Sequence, residues 1–339
     1  MNPKNPYKIA LVLLSLFLFG CKDSASIPSE EDLNAREQTP QEESNQRTTG
    51  PIDYGYGPGL LPLGDEKISN EPKIGFIYSC DTQLNGGGAF KAGEWINESE
   101  GYWDPNKKIM VDGDISWANA QFTLETKGTT REIKGNGLPI NHNTGTYPIS
   151  TQDEAYLYDR NPNSIKEQKV VLSLPVQPTL AATPRCASGM VAIALNGIAI
   201  FNGLDAGGKD AVAHEIQDQC DGHPQKDGQY HYHNLSNCLE DTPRDTEHSA
   251  LVGYALDGFG LYGKKGENGK ILTNADLDEC HGHTHEIKWE GSLKNMYHYH
   301  ATEEYPYTIG CFKGNINSEN LSQPENNEKP SMGPPPTQP

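Results

Sequence analysis

The sequence predicts a mostly β fold, with a sandwich-like core, long loops, an internal pseudo-twofold duplication and disulfide staples. Three observations carry this. Its apolar runs are short and punctuated by Gly, Asn and Asp, which suits strands and turns. Long stretches with a helical period are nearly absent. A unit of about 60–70 residues occurs twice, back to back, over residues 191–250 and 252–313.

In chain order, Lys73–Ser79, Lys108–Asp112, Gln121–Thr126 and Lys169–Leu174 read as strands. In the first unit Val191–Leu195 is a strand and Asn196-Gly197 a hairpin turn, because that dipeptide tolerates the left-handed backbone of a two-residue loop. Val252–Leu256 and Asp257-Gly258 repeat the arrangement. One short helix is expected within Asp205–Gln219 and another within Asn274–Glu279. Ala194–Asn202 aligns with Ala255–Gly263 at an offset of 61 residues; Cys220 and Cys280 and the Gly-His pairs follow at 60 and the Tyr-His-Tyr-His motifs at 67. Two copies are too few for a solenoid. They predict a pseudo-twofold domain whose equivalent elements meet near the axis.

The flanks differ in kind. Lys4 and Lys8 precede an apolar run, Ile9–Phe19, too short for a membrane span of ~20 residues but suited to an export signal over 1–20. Leu18-Phe19-Gly20-Cys21 resembles a bacterial lipobox. That resemblance implies cleavage before Cys21 and lipidation of its thiol, with the protein at the outer membrane or cell surface and touching lipid only through the anchor. Residues 21–67 are polar and acidic and read as a flexible tether. Residues 314–339 read as a disordered, Pro-rich tail, which leaves 68–313 for the folded domain.

The formal charge is −19, and removing Lys4 and Lys8 with the signal takes it to −21. Such a surface excludes nucleic acid, whose phosphates require a basic face, and charge-driven binding to anionic lipid. No protein partner is indicated. Besides Cys21 there are six cysteines, an even set that reads as three disulfides in an oxidising compartment. The duplication pairs Cys220 with Cys238 and Cys280 with Cys311, which leaves Cys80 with Cys186. The competing reading makes Cys220 and Cys280 thiolate ligands through Cys-x-x-His.

Ten of the eleven histidines fall between 214 and 300. Tyr230-His-Tyr-His233 recurs as Tyr297-His-Tyr-His300, each after a Gly-His pair (His223, His283). On a strand the two histidines of each motif share one face, about 7 Å apart at Cα, and the tyrosines share the other. A pseudo-twofold would bring His231, His233, His298 and His300 into one site, with His223 and His283 adding an imidazole from each half. Imidazole-rich sites suit copper or zinc. His142, His214, His248, His281 and His285 read as structural or supporting residues. Asp221, Asp257 and Glu279 are candidate general bases.

The chain resembles the YHYH domain family. The resemblance is carried by both Tyr-His-Tyr-His motifs, Leu204–Gly208 with Asp210–Glu215, Gly253–Gly258 with Leu261–Gly263, and Asp276–His285. Upstream it reaches Asn136–Pro139, His142 and Asn161–Asn163, so that it covers about 130–313. It supports the fold and the metal affinity and brings no reaction with it. His214-Glu215 begins like the zinc-protease motif His-Glu-x-x-His, but position 218 is Asp. No Gly-x-Ser-x-Gly elbow, P-loop or dinucleotide fingerprint occurs.

Three readings of function follow. The first is a lipid-anchored protein that binds copper or zinc through the paired histidines. The second is a metal-dependent hydrolase or oxidase using the same residues. The third is a non-enzymatic adhesion or glycan-binding module with a structural Tyr/His core, in which Trp95, Trp103, Trp117 and Trp289 would stack on sugars.

Overall fold

The structure, a computed structural model, describes residues 51–81, 84, 86–239 and 247–322. The expected signal, Cys21, most of the tether and the end of the tail lie outside these residues. A three-stranded antiparallel sheet is formed by β1 (Phe122–Lys127), β2 (Thr130–Gly135) and β3 (Val170–Pro175). The main sheet has eight strands. The first copy supplies β4 (Met190–Ala194), β5 (Ala199–Phe201), β6 (Gly222–Pro224) and β7 (Tyr230–Tyr232). The second supplies β8 (Leu251–Ala255), β9 (Gly260–Tyr262), β10 (Gly282–Trp289) and β11 (Ser292–His300).

Their spatial order is β6-β7-β5-β4-β8-β9-β11-β10, which reads the same from either end once the copies are exchanged. The hairpin turns fall at Asn196-Gly197 and Asp257-Gly258, where both glycines take positive φ (90° and 92°). At the centre β4 pairs antiparallel with β8, Ile193 opposite Tyr254. These two residues are equivalent at the 61-residue offset, so the pseudo-twofold passes through their pair. Directly opposite residues share a sheet face. His223 faces His231, which faces Ala199, which faces Ile193. Beyond the axis Tyr254 faces Gly260, which stands one step before the Leu261–Tyr299 pair and so beside His298, which faces His283. One row thus runs across all eight strands, with two histidines at each end.

The opposite face is apolar. Tyr230, Tyr232, Tyr297 and Tyr299 are buried there with Ile200, Phe259 and Leu261, and the small sheet adds Ile133, Leu172 and Leu174 to the same core. A second cluster, including Leu61, Trp95, Trp103, Val212 and Tyr305, underlies the N-terminal loops. All three disulfides join the expected cysteines: Cys80–Cys186, Cys220–Cys238 and Cys280–Cys311. Cys220 and Cys280 are therefore not thiolate ligands.

The upstream strands are shorter than expected. Lys73–Ser79 yields Ile77–Tyr78, and Lys108–Asp112 only a bridge between Val111 and Asp218. The helices shrink to Ala211–His214 and a 3₁₀ turn at Asn274–Asp276. Asp210 caps the first, but Glu215 turns extended after a single turn. The folded part also exceeds 68–313 at both ends. Gly64 N–H donates to the buried Asp210 carboxylate (2.8 Å). Phe312–Gly314 pairs with Leu180–Arg185, and the buried Asn320 side chain makes a two-way hydrogen bond to the Ser173 backbone. Among the described residues no helix is long and apolar enough to cross a membrane.

Candidate metal centres

The tyrosines of each motif fix the strand from behind. Tyr230 donates to both oxygens of Asp218 (2.9 Å each), and Tyr297 donates to Asp278 (3.0 Å). These aspartates are equivalent at the 60-residue offset, and each also accepts the backbone N–H of the following cysteine and glycine. They thereby shape the turn that presents His223 or His283. Tyr232 meets the His142 Nε2 (2.6 Å) and the Asn196 amide, while Tyr299 donates to Asp257 (2.6 Å).

On the other face the imidazoles are aimed by carbonyls. Nδ1 of His231 donates to Gln229 O (3.2 Å), and Nδ1 of His298 to Met296 O (3.1 Å). Nδ1 of His233 donates to Asn202 O (2.5 Å), and Nδ1 of His300 to Gly263 O (2.6 Å). Each pair of carbonyls is equivalent under the duplication. A ring whose Nδ1–H is committed in this way keeps a bare Nε2 lone pair, the form that binds a metal.

Those lone pairs converge in two places. In the first copy the ring nitrogens of His223, His231 and His233 lie within 4.8 Å of one another, and the two motif Nε2 atoms are 3.1 Å apart. Glu215 Oε2 stands 3.5 Å from His223 Nε2 and 3.6 Å from His233 Nε2. In the second copy His248, His283, His285, His298 and His300 gather within the same limit. There His248 and His285 also commit Nδ1 to carbonyls, of Ser249 and Glu286 (2.9 Å each). Both ring nitrogens of His223, Nε2 of His283, His285 and His300, and Oε2 of Glu215 are buried with no hydrogen-bond partner. Unpaired buried polar atoms are costly and rare in folded proteins, and six of the ten among the described residues sit at these two spots.

Electrostatics keep the rings neutral. Burial, then the neighbouring imidazoles, holds His223, His231 and His300 well below the usual histidine range. Burial lowers His233 to about 4; for His283, also brought to about 4, burial acts first and His285 and His248 add to it. Burial, followed by the charges of Asp159 and Asp205, pushes the Glu215 carboxyl well above its ordinary range. The rings therefore carry no second proton between their facing lone pairs, and the Glu215 carboxyl holds its own proton, which a bound cation would displace.

The structure does not assemble the four motif histidines into one site. The twofold runs between β4 and β8, whereas the motif strands β7 and β11 sit five strands apart, about 24 Å at the usual ~4.8 Å spacing. Each motif strand adds in parallel to the outer side of its own hairpin, which carries the two copies to opposite flanks. The candidate general bases are also occupied elsewhere. Asp221 accepts Asn237 N–H, Asp257 serves Tyr299, Phe259 and Gly314, and Glu279 pairs with Lys313.

Glu215 is not among the residues expected at the site, and His248 and His285, expected to be structural or supporting, stand within the second cluster. His283-Thr284-His285 is itself a His-x-His on a strand, so the alternation applied to the motifs flags it. Glu215 carries no local signal beyond following His214. His142 and His281 are structural: His281 bonds His300 O and Thr302. His214 pairs with Asp65 (3.0 Å). The sulfurs near His142 belong to the Cys220–Cys238 disulfide.

Residues 171–271 match the family model described as YHYH protein. This is narrower than the 130–313 stretch over which the sequence resemblance runs. The match takes in the whole first copy and the β8–β9 hairpin of the second, and stops before Tyr297–His300. No curated protein and no solved structure matches the chain. The first centre and the hairpin that begins the second thus lie in the segment, residues 171–271, that matches the YHYH family model.

Proposed function

We propose that this is an exported metal-binding protein in which each Tyr-His-Tyr-His strand and its Gly-His partner hold one transition-metal ion. One observation carries the reading: buried, neutral imidazoles with Nδ1 committed to carbonyls aim bare Nε2 atoms at a common point, twice. Three disulfides mark an oxidising compartment. Lipidation at Cys21 would keep the protein on the cell envelope, where copper or zinc capture serves storage, sensing or delivery. The test compares the metal content of protein purified without added metal with that of a variant carrying Ala at His231, His233, His298 and His300. Loss of bound copper or zinc in the variant is expected; equal content in both would sink the reading.

A metal-dependent hydrolase or oxidase is the second reading, favoured by Glu215, whose buried, unpartnered Oε2 stands against two of the three imidazoles. It requires turnover that a chelator abolishes and that Glu215→Gln removes while the metal stays bound. Less supports the glycan-binding reading: Trp95, Trp103 and Trp289 are buried in the core, Trp117 is partly buried with its Nε1 donating to Thr144, and several of the clustered histidine nitrogens lack the hydrogen bonds a structural core would supply.

A further inference from the structure

The two centres share the motif and differ in everything added to it. At the 61-residue offset His248 stands where the first copy has Ala187, and Tyr262 where it has Phe201. At the 60-residue offset His285 stands where the first copy has Gln225. Among the described residues Glu215 has no carboxylate counterpart at the second centre, since Asp276, its equivalent at 61, caps the 3₁₀ turn and pairs with Lys270. The first centre therefore offers three clustered imidazoles with a carboxylate against two of them, His223 and His233, and the second five imidazoles.

Resting on the metal-binding reading above, we infer that these are two chemically distinct sites. The first, His223, His231, His233 and Glu215, takes zinc(II); the second, with His248 and His285 as additional ligands, takes copper(II). Four donors with one anion match the tetrahedral N/O shell of zinc. Five neutral nitrogens exceed that shell and suit the tetragonal preference and higher nitrogen affinity of copper(II).

Charge agrees with this assignment. A dication sealed among His223, His231 and His233, each about 3% exposed, needs the glutamate for neutralisation. Among the described residues the second centre holds no buried anion, and it is more open. His248, His283 and His285 are only half-buried, and the exposed Glu267 carboxylate lies 3.8 Å from His285 Nδ1. Opposed donors on bonds of ~2.1 Å stand ~4.2 Å apart, so the five rings need to close by only a fraction of an ångström from their 4.8 Å limit.

The experiment strips the full exported chain with chelator and offers copper(II) and zinc(II) together at equal concentration. Bound metal is counted, and the copper spectrum is read by electron paramagnetic resonance. One copper and one zinc per chain are expected, with nitrogen hyperfine structure on copper. Two variants assign the sites. H248A with H285Q installs the first copy's own residues, which limits the risk to folding, and should weaken copper at least tenfold with zinc unchanged. E215Q should weaken zinc at least tenfold with copper unchanged.

A wild-type chain that binds two ions without preference would overturn this inference alone, as would a copper affinity within twofold of wild type in the double variant. A chain that binds neither ion would overturn the metal-binding reading with it.

Discussion

The first and second copies place the same histidines on the same strands with the same carbonyl partners, yet the chemistry around them diverges. The first copy is the more sealed. Its Gly-His ring, His223, and the aspartate behind Tyr230 are withdrawn from solvent, whereas His283 is only partly buried; the motif rings themselves are buried in both copies. The second runs into a long β10–β11 hairpin, leaves Asp278 about a quarter exposed, and recruits extra imidazoles from β10 and from the loop before β8. The common part fixes where donors point. The divergent part fixes how many there are and what charge they carry.

The sharpest way to break the comparison is to remove one ligand per copy. His233→Ala and His300→Ala should each abolish one bound ion, or weaken it by roughly a hundredfold or more, given that even supporting residues cost 10–100-fold. The effects should be independent, because sites this far apart have no shared partners. Isothermal titration of the single and double variants checks this. Loss of both ions on removing His233 alone would mean that the copies are coupled.

The aspartates come next. Asp218 is 1% exposed and accepts from Tyr230 and from the N–H groups of Gly145, Cys220 and Gly222. Asp218→Ala strands these donors in the interior and should cost about 3–5 kcal/mol. Asp278→Ala, where water reaches the gap, should cost about 1–3 kcal/mol. Urea unfolding of the metal-free proteins measures both, and equal losses would contradict the difference in burial.

Replacing Tyr299 by Phe removes a donor to a buried carboxylate, and replacing Tyr232 removes a neutral bond to His142. The first should cost about 1.5–3 kcal/mol and the second about 0.5–1.5 kcal/mol.

Much of this was legible from local pattern. Strand alternation put histidines and tyrosines on opposite faces, the Asn-Gly and Asp-Gly dipeptides marked both hairpins, and the duplication paired the cysteines. The number of sites was not legible. Repeats reveal that copies exist, but the axis position depends on which strands pair across the copies. That was decided by β4 and β8, whose Ile193–Tyr254 pairing leaves no motif in the sequence. Glu215 was hidden for a related reason, since it reaches the site only because a one-turn helix ends where it does. His285 was available from its spacing to His283, but its partners are long-range.

The smallest expected effect again separates the copies. Asp210 bridges Gly64, Ala213 and Tyr307, whereas Ile271 occupies the equivalent place, as the Leu204–Asp210 and Lys265–Ile271 bridges show. Tyr305, Tyr307, Asp65, Lys67 and His214 surround the carboxyl, and burial raises it to about 6 despite the hydrogen bonds it accepts. Between the unfolded value of ~3.9 and about 6, the folded chain holds a proton that the unfolded chain has lost. Stability from this group is then fully present below ~4 and declines as pH rises through 6. Asp210→Asn should be less stable at pH 4, because Asn offers one acceptor oxygen to three donors, yet should lose less stability than wild type between pH 4 and 6. Ile271→Ala, with nothing to titrate, should lower stability by the same amount at both pH values. Parallel pH profiles for wild type and Asp210→Asn would show that the first copy's buried carboxyl does not set this slope.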